Sequence, residues 1–403
     1  MKLSLKYFKN STTLTTWYSR FPLILNVFFI LPLILSLFDV EDVALYYLLS
    51  SFVRFQDIAD FGFNFTYSRY YSYAYAGASS VLNKDIAVKK TKNKKPNYKL
   101  ISGLFKKNKY DYLIISLIFF FTIGSYASYQ LQEFFERDSF VITWLFFLVS
   151  LVFKIRYKYV ESFIIGVQDI ARLRLISGHI ACFQVATLFV VLYITKDILA
   201  GIWVNTFFFW VIILRNYFLA KKICHEKKIN LNDFKEISSD VRKELIKVSI
   251  KSGLGNVTTT GFYTTSGFIL TPILSDYELA ILLFSNKIID IIRDFSRAPF
   301  YSKLPELNSI FIKNKTKLLK VSKNYIFRSD LVYFIGVTGF LVMGNFLLDI
   351  IDGDFTQIPE EYWIFISLTF FLERIGSISI QLYSVSNKVK NHIINTLFFI
   401  FSI

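Results

Sequence analysis

The sequence predicts an all-α polytopic membrane protein built from two pseudo-symmetric six-helix bundles. Three observations predict it. The 403 residues are 54% hydrophobic and include 45 Phe and only 7 Pro, and the apolar residues fall in runs of about 18–25, the length that crosses a bilayer. Lys and Arg crowd into alternate loops. A charged pattern inside one apolar run returns more than half a chain later.

Taken in order, helices are expected over 21–38, 43–66, 111–130, 139–157, 175–195, 199–219, 249–274, 277–295, 331–348, 362–383 and 392–403. That makes eleven, the last stopping mid-span, so a twelfth is missing from the expected plan and truncation is the favoured explanation. Residues 1–20 are basic and 21–38 apolar, but no small-residue cleavage site follows, so a span is expected there rather than a signal peptide.

Orientation follows from counting cations. With the N-terminus inside, the inner segments 1–20, 81–110, 154–174, 221–247, 293–328 and 384–391 hold 38 of the 46 Lys and Arg, and the outer loops hold only Arg137 and Lys196. Cytoplasmic loops carry such an excess, so the N-terminus is expected in the cytoplasm. The net charge of +16 therefore suits a membrane face and not nucleic acid. Residues 81–110, with Lys89-Lys90 and Lys94-Lys95, are expected to form a linker, the other reading being attraction to anionic membrane lipid. Two cysteines, Cys182 and Cys224, and three scattered histidines give no disulfide framework and no metal spacing. No cofactor is expected.

The repeat sets the architecture. Arg54-x-x-Asp57 corresponds to Lys287-x-x-Asp290, and Asp60-Phe-x5-Tyr67-Ser68-Arg69 to Asp294-Phe-x5-Tyr301-Ser302-Lys303. An even number of spans separates the copies, so the halves share one orientation about an axis along the membrane normal. The expected division is an N-terminal bundle over 1–220, a basic cytoplasmic linker over 221–247 and an incomplete C-terminal bundle over 248–403.

Six cations lie within the expected spans: Arg54, Arg69, Arg215, Lys251, Lys287 and Arg374. Isolated, they would cost on the order of 18 kcal/mol at about 3 kcal/mol each, so they must pair, snorkel or face water. Arg54 with Asp57 and Lys287 with Asp290 are i,i+3 pairs. Either they neutralise each other, or they line a watery cavity whose cations bind an anionic ligand and whose carboxylates take up coupling ions. Recurrence of both pairs favours the cavity. Lys251 and Arg374 are further cavity candidates; Glu373 does not neutralise Arg374 by spacing alone. Arg69 either snorkels to the interface or joins the binding set. In the seventh helix, Ser252, Asn256, Thr260, Tyr263 and Gly267 form one polar stripe, a wall for a hydrophilic substrate or a small-residue packing face. Pro22, Pro32 and Pro272 mark bendable or kinked helices. Tyr67, Tyr70, Tyr71, Tyr73 and Tyr75 are expected to form an interfacial aromatic belt, with sugar stacking as the alternative. Gly62 and Gly77 are expected at packing or boundary positions.

Several short motifs resemble one family. Ala59-Asp60-Phe61-Gly62-Phe63 with Arg69 and Ala76-Gly77-Ala78, then Ser162-Phe-Ile-Ile-Gly166, Lys251-Ser252-Gly253 and Pro299-Phe-Tyr-Ser-Lys303-Leu-Pro305, are similar to motifs of the O-antigen flippases (Wzx). These belong to the multidrug/oligosaccharidyl-lipid/polysaccharide exporter superfamily, whose fold is MATE-like. Gly62 has no glycine counterpart at Ser296, a departure from the repeat. The resemblance implies a multi-pass protein of the bacterial inner membrane. Its central cationic cavity would export a polyprenyl-pyrophosphate-linked oligosaccharide by alternating access, alongside other glycan-assembly membrane proteins. Arg54, Arg69, Lys251, Asn256, Lys287 and Arg374 would then bind substrate, and Asp57, Asp60, Asp290 and Asp294 would couple a proton or sodium ion. A multidrug or metabolite exporter of the same superfamily is the alternative. A membrane polymerase or acyltransferase ranks lower, because no large outer loop and no catalytic His constellation is present.

Overall fold

The computed structural model describes residues 7–82, 95–233, 236–253, 276–350 and 359–385. Among them secondary structure is helical throughout, as a chain that must satisfy its backbone in lipid requires. α1 (Thr12–Leu25) runs through a π-helical turn, Asn26–Ile30, into α2 (Leu31–Leu37). Pro32 has no N–H to offer the carbonyl of Phe28, so the helix widens at the bend the prolines predict. α3 (Val40–Ala59) and α4 (Phe63–Tyr75) follow. α5 (Tyr98–Phe119) continues through the π turn Phe120–Gly124 into α6 (Ser125–Gln130). Then come α7 (Phe140–Arg156), α8 (Lys158–Gly166), α9 (Ile170–Thr195) and α10 (Ile198–Glu226). After a helix over 239–253, here α11, the second bundle holds α12 (Asp276–Tyr301), α13 (Leu304–Lys313), α14 (Lys315–Ile350) and α15 (Glu360–Ser384). Seven helices among the described residues are long and apolar enough to cross a membrane, and large side chains such as Phe121, Phe183, Phe207 and Val342 stand exposed on their outer faces. This is a multi-pass membrane protein.

Three expectations are corrected. Parts of the basic segments are helical and not loop. α5 begins at Tyr98, so Lys106, Lys107 and Lys109 ride a helix, and Lys107 pairs with Asp111 one turn on. α8 lies within 154–174 and buries Val160, Phe163 and Ile164. The tyrosines form neither a belt nor a sugar platform, because Tyr67, Tyr70, Tyr71 and Tyr73 are fully buried. Their hydroxyls are spent inside: Tyr67 donates to Asp111 at 2.5 Å and Tyr71 accepts from Asn108 at 3.2 Å. Burying such polar tips is tolerable only with partners. The expected spans 254–274 and 392–403 lie outside the described residues.

The third correction concerns the helix expected over 43–66. It is two helices. Phe61 has φ +46° and Gly62 φ +76°, left-handed values that end α3 and restart α4. The break lets α11 come against the turn. A Cβ on Gly62 would sit 2.7 Å from the Ser252 Cβ and 2.8 Å from the Gly253 N, and one on Gly253 would lie 2.5 Å from the Phe61 O. Gly62→Ala is expected to cost about 1–3 kcal/mol from overpacking and the left-handed backbone together, read as a lower midpoint of thermal unfolding in detergent. The repeat does not carry this break. Ser296 stands where Gly62 has its counterpart, and α12 is unbroken there.

Candidate substrate cavity between the bundles

The break fixes the first group of functional side chains. Asp60, at the end of α3, is 4% exposed. Its carboxylate accepts from the Asn64 N–H at 3.1 Å and from the Tyr112 hydroxyl on α5, with the Lys158 Nζ on α8 3.8 Å away. Asp111 repeats the pattern one layer along, between Tyr67 and Lys107. The sequence places Asp60 in a lumen shared with Asp290 and Asp294; instead it lies inside its own bundle, clamped by a tyrosine and a lysine.

α4 then turns Asn64, Ser68 and Arg69 toward the second bundle. Asn64 accepts from the Ser162 hydroxyl of α8 at 2.7 Å, which fixes the α4–α8 face. Arg69 is 5% exposed and does not snorkel. Its Nη1 donates to the Ser384 carbonyl at the end of α15, 2.6 Å away, and the Tyr73 hydroxyl donates to the Val385 carbonyl at 2.6 Å. A cation at a helix C-terminus meets the negative end of the dipole. The Nε and Nη2 of Arg69 are shielded from solvent and have no hydrogen-bond partner among the described residues. Those two nitrogens form one edge of the guanidinium, the edge that grips two oxygens of a phosphate or carboxylate at once.

Arg69 lines a cavity of ≈ 250 Å³ between the bundles. Arg20 and Arg174 line it too, with Glu161 as the one carboxylate among the described residues, and Asn64, Ser68, Tyr301, Asn308 and Gln381 supply neutral polar groups. Arg20 and Arg174 also line a second, more open cavity of ≈ 280 Å³ with Arg215, Gln184 and Asp294. Arg215 donates to the Leu173 carbonyl at 2.9 Å and to Ser177 at 2.7 Å. The two spaces thus share an arginine wall.

Around this wall the bundles are stitched together. Arg20 pairs with Asp294 at 2.6 Å, Thr13 and Ser302 are 3.3 Å apart, and Gln168 donates to the Pro305 carbonyl at 3.2 Å. Trp17 Nε1 donates to the Phe295 carbonyl at 2.8 Å. All these residues belong to the segments rich in Lys and Arg, so the described contacts close the basic face of the molecule.

The other expected site residues are dispersed. Arg374 is fully buried inside the second bundle. Its Nε meets Ser296 at 3.2 Å, its Nη2 meets Ser329 at 2.6 Å, and its Nη1 pairs with Asp330. Every guanidinium nitrogen is engaged, so no edge is left for a ligand, and Arg374 lines neither of the two cavities described. Glu373 instead holds Arg297 at 3.0 Å and lies 3.8 Å from Arg293, which also pairs with Asp290. Asp290 therefore sits in a network within the second bundle, and among the described side chains of the expected carboxylates only Asp294 bridges the bundles. Lys251 is half-buried on α11. Arg54, Asp57 and Lys287 lie on helices, with side chains outside the described residues, and Asn256 lies outside them altogether. The residues the sequence missed are Arg20 and Arg174, which counted there as loop cations. The signal available was position: each stands one residue before an expected helix, 21–38 or 175–195, and a slightly earlier helix start carries it into the bundle.

No protein-family model matches this chain, and no curated protein does. Solved structures do. A MATE point mutant aligns with TM-score 0.67 at 10% identity, over 96% of this chain and 84% of that one. A mutant of the Vibrio cholerae MATE transporter VcmN aligns with TM-score 0.65 at 10% identity, over 98% and 87%. MATE in the bent conformation aligns with TM-score 0.63 at 10% identity, over 95% and 82%. Across nearly its whole length, the chain has the fold of the MATE transporters.

Proposed function

We propose that the chain is a membrane exporter that flips a polyprenyl-pyrophosphate-linked oligosaccharide, an O-antigen or capsular repeat unit, across the bacterial inner membrane by alternating access. The observation that carries this is the unpaired edge of Arg69 at a cavity between the bundles. A buried cation with unmet donors is costly, and an anion bridging Nε and Nη2 would repay that cost. Pyrophosphate offers paired oxygens in the spacing a guanidinium fits, and Arg20 and Arg174 add charge of the same sign. In the closed arrangement the Arg69 edge is covered, so the anion binds better once the bundles part. That difference in affinity is what couples ligand to conformational change. The cavity of ≈ 250 Å³ suits a diphosphate headgroup, and the sugars would need the wider space of the parted state.

The division into bundles over 1–220 and 248–403 with a linker over 221–247, and a cytoplasmic basic face, are part of the same proposal. Arg54, Lys251, Lys287 and Asn256 stay in it as residues of the parted lumen.

Ion coupling is assigned to Asp60, with Asp57 three residues before it on α3 and Asp290 on α12. Asp60 touches both a proton donor and a cation, Tyr112 and Lys158, so a proton or sodium ion arriving there has a carboxylate to bind and a lysine to displace. Asp60→Asn keeps the acceptor for Tyr112 and loses the charge. It is expected to abolish uptake driven by a proton or sodium gradient in proteoliposomes while leaving substrate binding intact.

The test of function is complementation of a flippase-null strain, scored by surface glycan. Arg69→Ala is expected to lose display; wild-type display from it removes the proposed site. A second reading, a multidrug or metabolite exporter, is favoured by the small cavity volume. It predicts drug resistance and no glycan display in the same strain.

A further inference from the structure

Arg20 and Asp294 form the ion pair that joins α1 to α12 at 2.6 Å. Arg20 belongs to the walls of both cavities, whereas Asp294 lines only the more open one. The side chains are 27% and 37% exposed, and a pair this open to water is weak. Arg174, the other arginine shared by the two cavities, is held more loosely still, by Glu161 at 4.0 Å. Other charges packed near the pair are committed elsewhere: Arg297 to Glu373, and Arg293 to Asp290.

We propose that Asp294 is a built-in stand-in for the ligand's anion, holding Arg20 and with it the closed basic face until a diphosphate takes its place. This rests on the anion site at Arg69 and adds its regulation. The diphosphate would grip Arg69 and Arg20 together. Releasing Arg20 from Asp294 removes the one ion pair described between α1 and α12, leaving the hydrogen bonds of Thr13 and Trp17. Binding and parting are then one exchange of partners, carboxylate for phosphate, on a single guanidinium. Because the resident anion competes with the arriving one, the closed form would not trap the ligand, and the parted form would.

The experiment uses the purified chain with Cys182 and Cys224 replaced by Ala, and inorganic pyrophosphate as probe. Two measurements are made: the pyrophosphate Kd by calorimetry, and the rate of disulfide formation between cysteines placed by Thr13→Cys and Ser302→Cys, whose native hydroxyls are 3.3 Å apart. Asp294→Asn is expected to tighten pyrophosphate binding roughly two- to fivefold by removing the competitor, and to slow cross-linking. Asp294→Ala should behave alike and guards against a local effect of the amide. Arg20→Ala should weaken binding while also slowing cross-linking. Pyrophosphate added to the parent protein should slow cross-linking, and this response should vanish in Asp294→Asn. Unchanged or weaker binding in both Asp294 variants overturns the exchange. Binding that leaves the cross-linking rate untouched overturns it as well. If Arg69→Ala binds pyrophosphate as the parent does, or the parent does not bind it, the anion site fails and the exchange with it; loss of binding in Arg69→Ala alone leaves the exchange to stand on the Asp294 variants.

Discussion

Asp330→Ala is expected to destabilise the protein by about 3–5 kcal/mol, the cost of stripping a buried charge of its counter-ion. Arg374, its partner, is fully buried, and Ser296 and Ser329 satisfy its other nitrogens without neutralising it. The guanidinium also lies over the Tyr333 ring at 5.5 Å, so the whole α12–α14–α15 contact is arranged around one cation. Arg374→Met should be milder, because removing the charge as well leaves no orphan, and Asp330 is the more exposed partner. Thermal unfolding of the detergent-purified proteins checks the order. If Arg374→Met proves as damaging as Asp330→Ala, the cost lies in lost packing and not in an unpaired charge.

Arg69→Met is expected to do two things of opposite sign. Pyrophosphate affinity should fall roughly 100-fold or more, since hydrogen bonds to charged groups contribute about 1.5–3 kcal/mol each and two are lost. The empty protein should become more stable to heat, because the substitution deletes a buried cation that has no carboxylate partner among the described residues. Arg69→Lys keeps the charge and loses the fork, so its affinity should fall between the two. A loss of stability in Arg69→Met would mean that the bond to the Ser384 carbonyl outweighs the unpaired edge and that Arg69 is a structural cap. These paired signs separate a binding residue from a cap in a single protein preparation.

Much of the fold was legible in the sequence because lipid leaves so few options. Span lengths and the alternation of cations predicted a helical, multi-pass chain, and the repeat predicted two bundles. Helix ends were less legible, for a specific reason. Hydropathy detects lipid contact, whereas α5, α9, α10 and α14 continue past the apolar zone as charged helices; those stretches read as loops because they lose apolar character and not helical structure. The site was legible in kind and not in detail. Charges in spans pointed to an arginine-lined space, but spacing along one helix could not say which charges find partners elsewhere. Arg374 finds Asp330 on another helix and is consumed. Asp60 finds Tyr112 and Lys158 and turns away from the cleft. Arg69 keeps an unpaired edge. The departure at Ser296 was legible too: a serine cannot take the left-handed backbone of Gly62 as cheaply, and α12 runs unbroken where α3 stops.

The bond from Trp17 to the Phe295 carbonyl has a wider meaning. Phe295 stands four residues before Pro299, which lies inside α12 and has no N–H to return to that carbonyl. The acceptor that the proline leaves vacant is answered from the other bundle, by an indole. The same bond therefore satisfies a carbonyl that α12 cannot satisfy itself and fastens the two bundles. Parting of the bundles, as the proposed exporter requires, would break this bond and leave the Phe295 carbonyl without its indole donor. In the proposed cycle α12 would loosen at Pro299 as the bundles part.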